Sequence, residues 1–200
     1  MRFKLAAAAL VLAGVAACGA EAGSTTDAAP ASPPGESDRL RLDMAEAACR
    51  ARDFQGFFFA LSGSAAVRAR YTAAEVGTGV RGSSRLVTRR DYLDQQSYPI
   101  ATIDMAFVTA ASAAAFARGE GADPKLLRHV ELAFNEASDN RQRIDWTPGI
   151  FEKDLDPPPP HLEEGLGALV EATGPGGTLL FRPTATCWEL FEDVRNPPPG

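Results

Sequence analysis

The side chains able to carry chemistry are few and scattered along the sequence. Asp104 stands alone between Ile103 and Met105, and such a carboxylate acts as a general base only if it points into a cavity. Tyr92 and His129 are the other titratable groups that could converge with it in a pocket. His129 and Glu131 share one face of a strand and offer two metal ligands, but no third ligand accompanies them. A solvated pair beside Val130, Leu132 and Phe134 is the simpler reading. His161, Glu163 and Glu164 open a helix, where first-turn carboxylates complement the dipole. Leu61-Ser62-Gly63-Ser64 is not the Gly-x-Ser-x-Gly elbow of a hydrolase; it fits a helix end followed by a new cap. Neither a phosphate loop nor Cys-x-x-Cys occurs. The sequence therefore assigns no catalytic set, no metal and no cofactor, and leaves Asp104, Tyr92 and His129 as candidate pocket residues.

The elements that would position them follow from apolar spacing. Leu40, Met44, Ala47, Ala51, Phe54, Phe58 and Leu61 draw one stripe along a helix that Gly63 stops. Cys49 falls opposite that stripe, so the helix either faces two layers or breaks near Asp53, which could cap a second helix. Val67–Thr72 and Glu75–Val80 read as strands, with a turn at Arg81-Gly82-Ser83. Arg85–Tyr92 returns as a strand, unless Thr88 caps a short helix over Arg89–Gln96. Ile103, Met105 and Phe107 alternate as a half-buried strand, and Ala110–Arg118 is a helix ended by glycine.

Val130–Trp146 reads as a hairpin. A three-residue loop, Ser138-Asp139-Asn140, pairs Phe134 with Ile144 and Leu132 with Trp146, whereas a two-residue loop would oppose Phe134 to Asp145. Pro157–Pro160 forms a stiff spacer before Leu162, Leu166 and Leu169, which have helical spacing. A closing hairpin, Thr178–Phe181 with Thr186–Phe191, is anchored by Trp188 and Leu190. The class is α+β, an N-terminal helix packed on a curved antiparallel sheet. This order of elements resembles the cystatin-like α+β roll, and the resemblance implies a bent sheet that can hold a pocket and serve enzymes and binding modules alike.

With 20 Lys+Arg against 26 Asp+Glu, the net charge of -6 argues against general nucleic-acid binding. Hydrophobic content of 45% is too high for a wholly disordered chain, and 200 residues suit one domain. Residues 1–17 have the form of a secretion signal: Arg2 and Lys4 precede thirteen uncharged residues, too few to span a bilayer. Val15-Ala16-Ala17-Cys18 resembles the lipobox of bacterial lipoproteins. That resemblance implies cleavage before Cys18, acylation of Cys18, and a membrane link made by acyl chains such as palmitate. Gly19, in place of an Asp, leans toward the periplasmic face of the outer membrane.

In that exported, oxidising setting Cys49 and Cys187 remain, and a disulfide between them is expected. Residues 18–37 contain no Leu, Ile, Val or aromatic side chain and read as a disordered tether; 38–195 is the α+β domain and 196–200 a tail. Three roles remain. The first is a non-catalytic module binding an envelope protein or small ligand, the second a small hydrolase or isomerase using a pocket carboxylate, the third an immunity-type neutraliser of a toxin or lytic enzyme.

Overall fold

The structure, a computed structural model, describes residues 35–120, 127–137, 139–155, 157–159 and 165–197. The signal segment, Cys18, Ser138, and the stretch holding His161, Leu162, Glu163 and Glu164 lie outside the described residues. No helix among the described residues is long and apolar enough to cross a membrane.

The first helical stretch breaks at Asp53, the second of the two readings for it. α1 (Glu36–Ala51) ends at Arg52, which takes the left-handed conformation. Asp53 then caps α2 (Phe54–Gly63) by accepting a hydrogen bond from Gly56 N at 3.0 Å. This break decides which face of α1 is buried. Ala45 and Ala48 point inward with Leu42 and Cys49 beside them, while Leu40 and Met44 are exposed. The continuous stripe read from the sequence is therefore wrong for α1 and right for α2, where Phe54, Phe57, Phe58 and Leu61 are all buried. α1 also begins at Glu36, within the segment read as tether.

Ser64 caps α3 (Ala65–Tyr71) through Val67 N, so Val67–Tyr71 is helix and not strand. β1 (Thr72–Val80) and β2 (Ser83–Thr88) form a hairpin, and Thr88 caps α4 (Arg89–Asp94), the second of the two readings for that stretch. β3 (Ile100–Ile103) and β4 (Ala106–Thr109) pair as a separate ribbon before α5 (Ala110–Ala117). β5 (Val130–Glu136) and β6 (Gln142–Phe151) are followed by a 3-10 turn at Glu152–Asp154. The hairpin register pairs Phe134 with Ile144 and Leu132 with Trp146, and Asn140 is left-handed at φ 60°. β7 (Leu169–Ala172) is strand where the late helix was expected to continue through Leu169; the start of that helix, at Leu162, lies outside the described residues. β8 (Gly177–Pro183) and β9 (Trp188–Arg195) make the closing hairpin, with Trp188 and Leu190 buried.

The fold is α+β. The main sheet runs β2-β1-β9-β8-β6-β5, with β7 on β6. It is not wholly antiparallel as expected, because β1 lies parallel to β9. A register shift in the β8–β9 ladder falls at Phe191, between the pairs Phe181–Leu190 and Leu180–Glu192. One extra residue reverses the facing of those that follow, so Asp193 turns inward where simple alternation would place it outward.

The core sits between α1, α2 and the sheet. Phe54 meets Phe181 and Trp188 with ring centroids 5.2 and 5.3 Å apart, both edge-to-face. The Cys49–Cys187 disulfide joins α1 to the residue before β9 at this end.

Candidate functional site

The other end of the domain is open. α3, α4, residues 95–99, β3 and α5 border a cleft of about 1100 Å³ whose remaining wall includes Trp146, Pro148, Gly176 and Arg195. Tyr92, Tyr98, Leu93, Ile100, Ala110 and Ala114 are among the residues that line it. Gly176, at φ 58°, lets the chain turn against the Trp146 carbonyl, where a Cβ would stand 2.2 Å from that oxygen. A smaller groove of about 550 Å³ borders the disulfide, between Arg52, Asp53, Glu136 and residues 183–188.

Below the cleft lies a buried polar cluster. The Tyr92 hydroxyl donates to Asp193 Oδ2 at 2.7 Å, and Arg195 Nη2 donates to the same oxygen at 3.0 Å. Arg195 also donates to the Ser97 carbonyl and lies over the Trp146 ring at 5.0 Å. Asp193 is fully buried, and its Oδ1 has no partner. Burial pushes its carboxyl above the usual range, against the pull of Arg195 and of the Tyr92 hydrogen bond. Burial likewise raises the Tyr92 phenol, and the Asp193 charge adds to this. Tyr98 is raised by burial too and shares a 3.1 Å hydrogen bond with Ser62 Oγ.

Of the three expected pocket residues, only Tyr92 reaches the cleft. Asp104 and Met105 are the two residues of the β3–β4 turn, at φ 45° and 68°, and both are exposed. The anticipated strand through Met105 is therefore a hairpin tip, and Asp104 faces water, not a cavity. His129 sits at a bridge to Val108, with Nδ1 3.8 Å from Asp154 Oδ1; burial lowers its pKa while Asp154 opposes the shift. Glu131 beside it is exposed. Among the described residues, no three His, Cys, Asp or Glu side chains gather as a metal site would require.

The sequence reading missed Asp193, Arg195, Arg68 and Tyr98. A turn or cap signal locates none of them, and Asp193 is hidden from pattern reading by the bulge at Phe191.

No protein-family model and no curated protein matches the chain. Among solved structures, it is similar to a DUF4783 family protein from Bacteroides ovatus at 8% identity, covering 76% of this chain and 91% of that one, with a TM-score of 0.34. It is also similar to a protein provisionally assigned as a ketosteroid isomerase from Kribbella flavida, at 13% identity over 82% and 84% of the two chains, TM-score 0.30. A third, provisionally assigned as a dehydratase of the NTF2-like family, from Streptomyces avermitilis, is 17% identical over 81% and 94%, TM-score 0.25. At these values the likenesses carry no functional weight.

Proposed function

We propose that this chain is a lipid-anchored envelope protein whose domain binds a small molecule in the cleft and does not transform it. The observation that carries the reading is the cleft itself: about 1100 Å³, walled by aromatic and small apolar side chains, at one end of a domain packed with interlocking aromatics at the other. Ligand sites are typically concave, mostly apolar and of this order of size. The anchor reading rests on Val15-Ala16-Ala17-Cys18, and Gly19 favours the periplasmic face of the outer membrane. Two or three acyl chains on Cys18 hold a soluble domain at a membrane without help from a protein surface of net negative charge.

A second reading, a small hydrolase or isomerase, is favoured by the Tyr92–Asp193 pair, with Asp193 taking the role first considered for Asp104. It ranks below binding because Asp193 is fully buried and already holds two donors on Oδ2.

The binding reading is tested with Nile red, a neutral apolar dye whose emission rises when it leaves water. The wild-type protein should bind it at one saturable site, and Ala114→Trp, which fills the cleft from α5, should abolish that binding with the melting temperature retained. Saturable binding unaffected by Ala114→Trp would put the dye elsewhere and sink the proposal. The anchor is tested by detergent-phase partitioning of Cys18→Ala, which should move to the aqueous phase. If it stays with detergent, the acyl anchor is wrong.

A further inference from the structure

Resting on that small-molecule reading, we infer that the ligand is an apolar molecule bearing a single carboxylate, and that Arg68 receives that carboxylate. Among the described residues, three guanidiniums line the cleft, those of Arg68, Arg118 and Arg195, and no carboxylate side chain does. Two of the three are already matched. Arg195 is paired with Asp193 at 3.0 Å, and Arg118 gives Nε and Nη2 to Glu120, each at 2.9 Å.

Arg68 differs from both. Its Nη1 donates to the Leu61 and Ser62 carbonyls, each at 3.1 Å, at the C-terminal turn of α2. Its guanidinium lies over the Tyr98 ring at 5.2 Å. No carboxylate oxygen stands within 4.0 Å of its nitrogens among the described residues. Asp38, whose charge does reach it, is engaged by the Ser64 hydroxyl at 2.7 Å.

The local sum is one positive charge without a contact ion pair, offset in part by Asp38 at longer range and by the carbonyl end of a helix. A guanidinium carries five N–H donors in a planar fork, and the two carbonyls occupy only one of its nitrogens. That geometry suits a carboxylate, which accepts from the fork in its plane. One unmatched cation calls for one negative charge; a second would be left unpaired in a half-buried site. The rest of the ligand is apolar, because Leu93, Ala110, Ala111 and Ala114 line the same cleft. A chain of net charge -6 repels anions at long range, so the selectivity must arise inside the cleft.

The experiment is displacement of cleft-bound Nile red at neutral pH by dodecanoate, dodecanol and dodecyl phosphate, all below their aggregation concentrations. Dodecanoate should displace the dye at about tenfold lower concentration than dodecanol, the size of one charge-assisted hydrogen bond. Arg68→Gln should erase that preference and leave dodecanol unchanged. Arg68→Lys, which keeps the charge and loses the fork, should retain part of it. Equal displacement by acid and alcohol, a preference that survives Arg68→Gln, or tighter binding of the phosphate than of the carboxylate would each overturn the assignment while leaving the small-molecule reading intact. Absence of Nile red binding, or displacement by none of the three, would overturn that reading as well. Should Arg68→Gln melt early, the comparison of acid with alcohol in the wild-type protein still decides the question.

Discussion

The two ends of this domain solve the same packing problem in opposite ways. At the α1–α2 end, Phe54, Phe57 and Phe58 each meet Phe181 edge-to-face, Trp188 packs on Phe54 and Phe57, and a disulfide ties α1 to the start of β9. At the α3–α5 end the helical cover is short, alanine-rich and incomplete, and a polar cluster of Tyr92, Asp193 and Arg195 lies where an apolar core would otherwise be. Apolar contacts are non-directional and fill space; buried hydrogen bonds are directional and fix side chains around space left open. The first end gives the domain its cohesion. The second keeps a cleft from collapsing, because Tyr92 and Arg195 are held by Asp193 and cannot relax into it.

The largest effect should come from the covalent tie. Reduction, or Cys49→Ala with Cys187→Ala, opens a loop whose ends are 138 residues apart. The chain-entropy cost is up to about 5 kcal/mol, a fall in melting temperature of roughly 10–20 °C for a domain of this size. Calorimetry should show one transition, since a single hydrophobic cluster contains Trp188 at one end and Tyr98 at the other. Two separate transitions would mean that the ends are independent and that the contrast between them is one of subdomains.

A smaller effect belongs to the polar end. Tyr92→Phe removes a donor from a fully buried carboxylate and should cost about 1–3 kcal/mol. The pH dependence has a defined sign. Asp193 has its folded pKa raised above the ordinary 3.8, so between those two values the folded state holds more protons than the unfolded one. Its contribution to stability is full below 3.8 and declines as pH rises through the folded value. Chemical denaturation of wild type and Asp193→Asn across the acid range should show wild type losing ground to the variant as pH rises. The opposite slope would mean that Arg195 outweighs burial.

The smallest effect tests the hairpin loop near the disulfide. Asn140→Val places a β-branched residue at φ 60° and should cost about 1–2 kcal/mol, whereas Asn140→Gly should be close to neutral. Equal stability of the two variants would show that this loop's conformation does not matter to the stapled end.

These contrasts also explain what could be read in advance. The β5–β6 register was legible because only one loop length pairs Phe134 with Ile144 and keeps Asp145 off Phe134. Thr88 and Asp53 were legible as caps because an acceptor side chain at a helix start has a local physical role. The Asp104–Met105 turn was not legible: Ile103, Met105 and Phe107 alternate as a strand does, and no glycine marks the reversal. Val67–Tyr71 looked like a strand from its period of two, yet Ser64 caps it and Arg68 reaches back to the α2 carbonyls. The polar cluster was the least legible, because it joins residues a hundred positions apart through a bulge that alternation does not reveal. Local chemistry leaves a local signature, and long-range pairing does not.

The position of β9 has a kinetic consequence. The last of the described strands is an inner strand, hydrogen-bonded to β1 on one side and β8 on the other. It also carries Asp193 and Arg195, and Cys187 immediately precedes it. Until those residues are available, β1–β2 and β8–β6–β5 have no common strand to join them. The sheet, the disulfide and the cleft are thus completed in one late step of high contact order, which makes for slow, all-or-none folding. A chain cut short by even its final strand would be left with two unjoined half-sheets, each with an exposed edge open to aggregation.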